Sequence, residues 1–261
     1  MKKLKYIIPV IIALAACKKE TPAPAATTNN NTTPTTTSCD ASFALGFKFN
    51  SDLQDTSCNN NDATGISHSF VADRNNKASK AVSFNGSSSY LEFPNASSVH
   101  PSFPFSIAFW VNPSDSAATS NHFIQAQVAS TYYGYWIQTI AGTGELAANI
   151  GDGTGSSSGN RNSGVSSVRL RSNTWTHVTV VFNAANNFQM YFNGVADNAV
   201  TYSGSATSIA YLPTTTATAK GRIGGYSGAA TTYFNGKLDN IKIWSKALTN
   251  TEVTSEYNLT N

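Results

Sequence analysis

The first residue whose type and setting suggest chemistry is a lone acid in a strand-like run. In Lys237-Leu-Asp-Asn-Ile-Lys-Ile-Trp, Asp239 falls two and four residues before Ile241 and Ile243. Strand alternation therefore puts its carboxylate on their face, directed inwards. A buried carboxylate is costly unless it is paired or binds a metal. Three partners are open for Asp239: a cation, the Arg74 guanidinium, or a backbone amide. The loop Asp55-Thr-Ser-Cys-Asn-Asn-Asn-Asp-Ala-Thr64 is dense in the oxygen ligands that calcium prefers and can supply the rest of a cation site. Such an ion is structural, because nothing in the pattern leaves a coordination position open for a reaction.

A second set of residues suits sugar recognition. Trp110 alternates with Phe105, Ile107, Phe109 and Val111, so it lies outside the core if they lie inside. Around Tyr132-Tyr133-Gly134-Tyr135-Trp136 both faces of one strand carry aromatics. Sugar C–H faces stack on such rings, while amides and carboxylates bind the hydroxyls. The candidate ligand-binding residues are Trp110, Tyr133, Tyr135, Trp136, Gln138, Asn149 and Asp152. For any one ring the alternative is a place in the core or beneath a loop. Tyr and Trp also anchor protein interfaces, so the patch alone does not choose a ligand. Trp175 and Trp244 read as packing residues.

Catalytic patterns are lacking. His68, His100, His122 and His177 are scattered, and there is no Gly-x-Ser-x-Gly elbow, phosphate loop or zinc-spaced Cys/His cluster. A glycosidase needs two facing carboxyl groups about 5–9.5 Å apart. In the middle of the chain Glu92, Glu145 and Asp152 form no recognisable pair. The chain is not expected to be an enzyme.

The elements that must position these residues are strands. Val178, Val180 and Phe182, then Phe188, Met190 and Phe192, alternate on either side of Asn183–Asn187. The pattern predicts a central hairpin that needs a larger sheet to cover its apolar face. Phe43–Phe49 and Phe105–Val111 alternate as cleanly. Further strands are predicted at 81–84, 90–93, 132–140, 146–150, 165–171, 221–226 and 233–244. Gly151–Gly164 reads as a loop and Tyr202–Ala219 has no clear pattern. Thr249 and Glu252 have capping-box spacing, predicting a short helix from Asn250 with Val253 and Tyr257 inwards. The fold class is all-β: a two-sheet antiparallel sandwich with a short C-terminal helix.

The run Trp175-Thr-His-Val-Thr-Val-Val-Phe-Asn, followed by Met190-Tyr-Phe-Asn-Gly and later by Phe234-Asn-Gly-Lys-Leu-Asp-Asn-Ile-Lys-Ile-Trp-Ser-Lys-Ala-Leu-Thr, resembles LamG-like jelly-roll domains of the concanavalin A-like lectin/glucanase superfamily. The resemblance runs from Cys39 to the C-terminus and is specific for the fold rather than the function. It implies a structural calcium, with Asp55, Asn59, Thr64 and Asp239 as the matching ligands. Cys58 and Ala63 stand where the family's loop usually has glycine. The Glu-x-Asp-x-x-Glu signature of the superfamily's glucanases does not occur.

The N-terminus reads as an address. Basic Met1–Lys5 and apolar Tyr6–Ala16 form a secretory signal, too short to span a bilayer. Leu14-Ala15-Ala16-Cys17 resembles a bacterial lipobox, which implies cleavage at residue 16 and lipidation of Cys17. Residues 17–38 are a Thr/Pro/Asn tether, and 39–261 form the domain. Lys18 does not match the Asp that retains many lipoproteins in the inner membrane, so an outer-membrane anchor, open to surface exposure, is expected. The chain has 17 Lys+Arg and 14 Asp+Glu. Lys2, Lys3 and Lys5 leave with the signal, so the mature chain is neutral and offers no nucleic-acid stripe. Beyond Cys17 only Cys39 and Cys58 remain, a predicted disulfide in an oxidising compartment, against two free thiols. These readings predict a monomeric, non-catalytic envelope lipoprotein whose domain binds carbohydrate. A protein-binding or adhesive module is the alternative, and a glycan hydrolase or lyase stands third.

Overall fold

The computed structural model describes residues 39–127, 129–226 and 232–259; the signal segment, Cys17 and the tether lie outside them. In chain order the strands are β1 (Phe43–Phe47), β2 (Thr64–Ile66), β3 (Ser69–Val71), β4 (Ala81–Asn85), β5 (Tyr90–Phe93), β6 (Phe105–Pro113), β7 (His122–Gln125), β8 (Tyr133–Thr139), β9 (Glu145–Asp152), β10 (Arg161–Arg169), β11 (Thr176–Ala184), β12 (Asn187–Phe192), β13 (Val195–Asp197), β14 (Thr201–Gly204), β15 (Gly221–Ile223), β16 (Gly225–Tyr226), β17 (Thr232–Tyr233) and β18 (Asn235–Trp244). Helix α1 (Asn250–Asn258) closes the chain.

Two eight-stranded antiparallel sheets form a sandwich, as the alternation predicts. The first runs β13-β12-β11-β6-β18-β4-β3, with β1 also paired to β18. The second runs β14-β10-β9-β8-β7-β15-β5-β2. Helix α1 and the small β16–β17 ribbon complete the jelly roll. The predicted hairpin is β11–β12, with Val178, Val180 and Phe182 opposite Phe192, Met190 and Phe188. On its other side β11 lies against β6, placing Phe109, Ile107 and Phe105 opposite the same three residues. Alternation thus becomes rows of apolar side chains, all at most 7% exposed, facing the second sheet.

Helix α1 has the predicted capping box: Thr249 Oγ1 accepts from Glu252 N, and Glu252 accepts from Thr249 N. Val253 is buried in a smaller apolar cluster with Ala108, Val181, Tyr191, Trp244 and Leu248 on the outer face of the first sheet. Cys39 and Cys58 form the predicted disulfide, with Cα atoms 5.9 Å apart, tying the start of the domain to the loop after β1. The Gly151–Gly164 segment is less of a loop than its composition suggests. Strand β9 extends to Asp152 and β10 already begins at Arg161, leaving only residues 153–160, with a short 3-10 turn at Ser158–Asn160, between them.

Candidate functional site

The outer face of the second sheet carries a polar row. Register places Thr64 beside Glu92, Glu92 beside Arg222, and Arg222 beside Gln125; Gln125 then faces Trp136, Asn149, Ser163 and Ser203 in turn. Their neighbours along the strands, including Leu91, Ile223, Tyr135, Ile137, Ala148 and Ile150, point into the core. Alternation therefore commits the row to the opposite face.

Midway along this row is a cleft of about 220 Å³. Trp136 and Tyr132 stack there with centroids 5.3 Å apart, and the Arg161 guanidinium lies 5.5 Å from the Tyr132 ring centre. Tyr133 and Gln138 line the cleft, and His122, stacked on Tyr226 at 4.9 Å, closes one side. At the base, Gln125 is only 2% exposed. Its Nε2 donates to the Gln127 carbonyl at 3.0 Å, while its buried Oε1 receives no hydrogen bond among the described residues. Native interiors seldom leave such an acceptor unpaired.

The structure gathers only some of the predicted binding residues. Tyr133, Trp136 and Gln138 meet at the cleft. Asn149 lies in the same row but does not line the cleft: Ser163 Oγ donates to its Oδ1 at 2.6 Å and its Nδ2 bonds backbone carbonyls. Asp152 caps the following turn, accepting from Thr154 N and Oγ1. Two expectations are corrected. Tyr135 borders the cleft, but its ring is fully buried on the core side of β8, packed against Phe105 at 5.6 Å, with its hydroxyl pushed up by desolvation. Trp110 does lie off the core face, but α1 covers it: its ring stacks on Tyr257 at 5.6 Å and is 8% exposed. Gln125, His122, Arg161 and Tyr226 were not foreseen. The first two sit on a short bulged strand without clean alternation, and Arg161 sits at the end of a segment whose composition reads as loop.

The four residues matched to calcium have other engagements. Asp239 pairs directly with Trp110, on the face away from Leu238, Ile241 and Ile243. The reason is a bulge at Asn240, whose φ of 53° adds a residue and inverts the alternation. Asp239 is nonetheless fully buried, because Arg74 covers it with Nη1 at 2.7 Å from Oδ2. The guanidinium lies 4.3 Å from the Trp110 ring centre and also donates to the Leu259 carbonyl at the end of α1. Asp55 accepts from Gly46 N, Ser57 N, Ser57 Oγ and Asn61 N. Asn59 donates to the carbonyl of Ala44, and Thr64 belongs to the other sheet. These residues do not fit a calcium ion: Asp55 faces N–H and O–H donors rather than a cation, and Asp239 faces a guanidinium. Among the described residues no group of three or more His, Cys, Asp or Glu side chains converges.

Two buried histidines make the fold acid-sensitive. Desolvation lowers His122 to about 4, and lowers His177 to about 3 with help from the nearby Arg74 and Lys242 charges. Both values lie below the ordinary 6.5, so the unfolded chain binds protons first. Their stability contribution is complete above about pH 6.5 and is lost as pH falls toward 4 and 3. Urea midpoints should therefore drop steadily between about pH 6.5 and about pH 4, and an H122Q/H177Q chain should show a shallower slope. Equal slopes would assign the acid sensitivity elsewhere.

Against known proteins, the family model that matches is described as the concanavalin A-like lectin/glucanases superfamily and spans residues 85–254, well over half the chain. No curated protein matches. Among solved structures, domain 4 of AbnA, a GH43 extracellular arabinanase from Geobacillus stearothermophilus, in complex with arabinotriose, is similar at 20% identity and TM-score 0.58; the match covers 83% of this chain and 98% of that one. The binding domain of Paraclostridial Mosquitocidal Protein 1 is similar at 18% identity and TM-score 0.60, covering 83% and 52%. A botulinum neurotoxin type C structure, titled for cell entry dependent on two ganglioside molecules, is similar at 15% identity and TM-score 0.59, covering 83% and 51%. The chain thus spans about half the length of these toxin structures. At such identities the likeness is one of fold.

Proposed function

The chain belongs to the concanavalin A-like lectin/glucanases superfamily, and from that premise we propose that its domain recognises carbohydrate without cleaving it, at the Trp136 cleft. The observation that carries this reading is the Trp136–Tyr132 stack walling a cleft, with the buried Gln125 amide oxygen, without a donor among the described residues, at its base. A sugar supplies an apolar ring face for the indole, and one of its hydroxyls would donate to the amide oxygen once the buried Gln125 side chain shifts toward the cleft. The arabinotriose complex of the AbnA domain and the two gangliosides on which botulinum neurotoxin type C depends for cell entry are in keeping with it. Among the described residues no Asp or Glu lines the cleft, whereas glycoside hydrolysis needs a facing pair of carboxyl groups.

We place this recognition at the cell envelope, with Cys17 as the lipid attachment point and its tether as spacer. Cells fed labelled palmitate should label the chain and not Cys17→Ser; equal labelling of the two would refute the anchor.

The test of recognition is affinity electrophoresis and calorimetry on a panel of polysaccharides. Trp136→Ala should weaken binding to the recognised glycan by about 30-fold, the loss of an interface anchor worth about 2 kcal/mol, with its melting temperature little changed. Gln125→Ala should show a smaller loss in the same direction. Failure to bind any glycan, or full binding by Trp136→Ala, would overturn the reading. In the first case a protein partner for the same aromatic face becomes the better account.

A further inference from the structure

We propose that the sugar bound at this cleft is acidic, carrying a carboxylate or sulfate, and that Arg161 reads its charge. This rests on the carbohydrate reading and specifies its ligand.

The first argument is the charge of the lining. Among the described residues, Arg161 is the only Lys, Arg, Asp or Glu side chain lining the cleft. Six other basic residues, Arg74, Arg169, Lys220, Arg222, Lys242 and Lys246, are each ion-paired to an Asp or Glu. Arg161 takes part in no ion pair among the described residues, and its Nε is buried without an acceptor. Arg222 Nε is buried in the same way, so what sets Arg161 apart is the lack of a counter-charge, a poor arrangement for a partly desolvated guanidinium on stability grounds alone. Its planar fork matches a carboxylate or sulfate.

The second argument is how the fold holds it there. Arg161 opens β10 opposite Gly151 of β9, and β9 in turn lies beside β8. A Cβ at Gly151 would run into the Tyr132 carbonyl; the missing side chain lets Tyr132 close over β9, where the guanidinium meets its ring. Trp136, Tyr132 and Arg161 then form one continuous series of an apolar ring, a second ring and a cation. A sugar face on the indole has a cation within reach of its substituents.

The third argument concerns the acid closest in sequence. Asp152 neighbours Gly151, the residue opposite Arg161, and forms no ion pair with it among the described residues. Its Oδ1 is instead occupied by Thr154 N at 2.9 Å and Thr154 Oγ1 at 2.7 Å. Arg222, the other guanidinium along the polar row, is already answered by Glu92 at 2.8 Å. Of the two, only Arg161 has charge to offer a ligand.

The experiment compares matched polymers on the intact protein. Polygalacturonate and alginate are tested beside their carboxyl-reduced forms, a sulfated galactan beside its desulfated form, and arabinan and a neutral glucan as further arms. Wild-type protein should prefer an acidic member over its neutral counterpart by about tenfold or more, and added salt should erode that preference. The parent polymer that shows it identifies carboxylate or sulfate as the group read. Arg161→Gln should abolish the preference, so that parent and neutralised polymers bind alike, and Arg161→Lys should keep only part of it. Equal binding of parent and neutralised polymers by the wild type would overturn the inference and leave the carbohydrate reading standing; that comparison needs no variant, so it decides even if Arg161→Gln folds poorly. An acidic preference that survives in a well-folded Arg161→Gln would also overturn it. Binding to no polymer of any arm would remove the carbohydrate reading itself, and this inference with it.

Discussion

Arg74→Ala is expected to lower the free energy of unfolding by about 3–5 kcal/mol, the usual result of removing one partner from a buried ion pair. Arg74 is 8% exposed in its side chain and Asp239 is 0% exposed, with 2.7 Å between them. Truncation therefore leaves a carboxylate deep in the protein without its guanidinium. The same change removes a cation from the face of Trp110 and a donor from the Leu259 carbonyl. The end of α1 should loosen as well, seen as faster amide exchange in Glu256–Asn258. Urea denaturation reads the first effect, and the double variant Arg74→Met/Asp239→Leu should lose much less than the single one. The calcium expectation is tested in the same titration. If the guanidinium is the carboxylate's counter-charge, EDTA leaves the wild-type midpoint where it was. A midpoint that falls in EDTA and returns with calcium would show that a metal contributes. An Arg74→Ala chain as stable as the parent would remove the ion pair from the account of this fold.

Phe182→Ala should be about as damaging, at about 3–5 kcal/mol, for a different reason. Phe182 is fully buried, stacks on Phe105 at 4.3 Å and packs at a tilt against Phe188 at 4.8 Å. It joins β11 to both neighbouring strands at one row of the core. Removing its ring opens a cavity that two rigid strands cannot close. Phe182→Leu, which keeps most of the volume, should lose much less. The m-value should stay the same, since the change deletes packing rather than altering the surface exposed on unfolding. A loss below about 1 kcal/mol would mean that the sandwich repacks around this row.

What the sequence determined by itself was everything that depends on period and local chemistry. Phe105, Ile107 and Phe109 and the hairpin residues Val178–Phe192 alternate strictly, and a period of two admits one buried face, so the sandwich and its central rows could be read directly. Thr249 and Glu252 cap a helix because both partners lie within one turn. Cys39 and Cys58 pair because no other cysteine is available to them once Cys17 is set aside. Only the tertiary structure decided the sites, because these depend on residues distant in the chain and on breaks in the period. One extra residue at Asn240 sends Asp239 to the face opposite the one its spacing indicates, where Arg74, 165 residues away in sequence, meets it. Trp110 is off the core as alternation requires, yet a helix formed from the last residues of the domain covers it. The cleft is assembled across β7, β8 and β10 with Tyr226 from a fourth segment. Arg161 reaches it because Gly151 has no side chain to hold Tyr132 away, a condition set by register between strands rather than by any pattern within one.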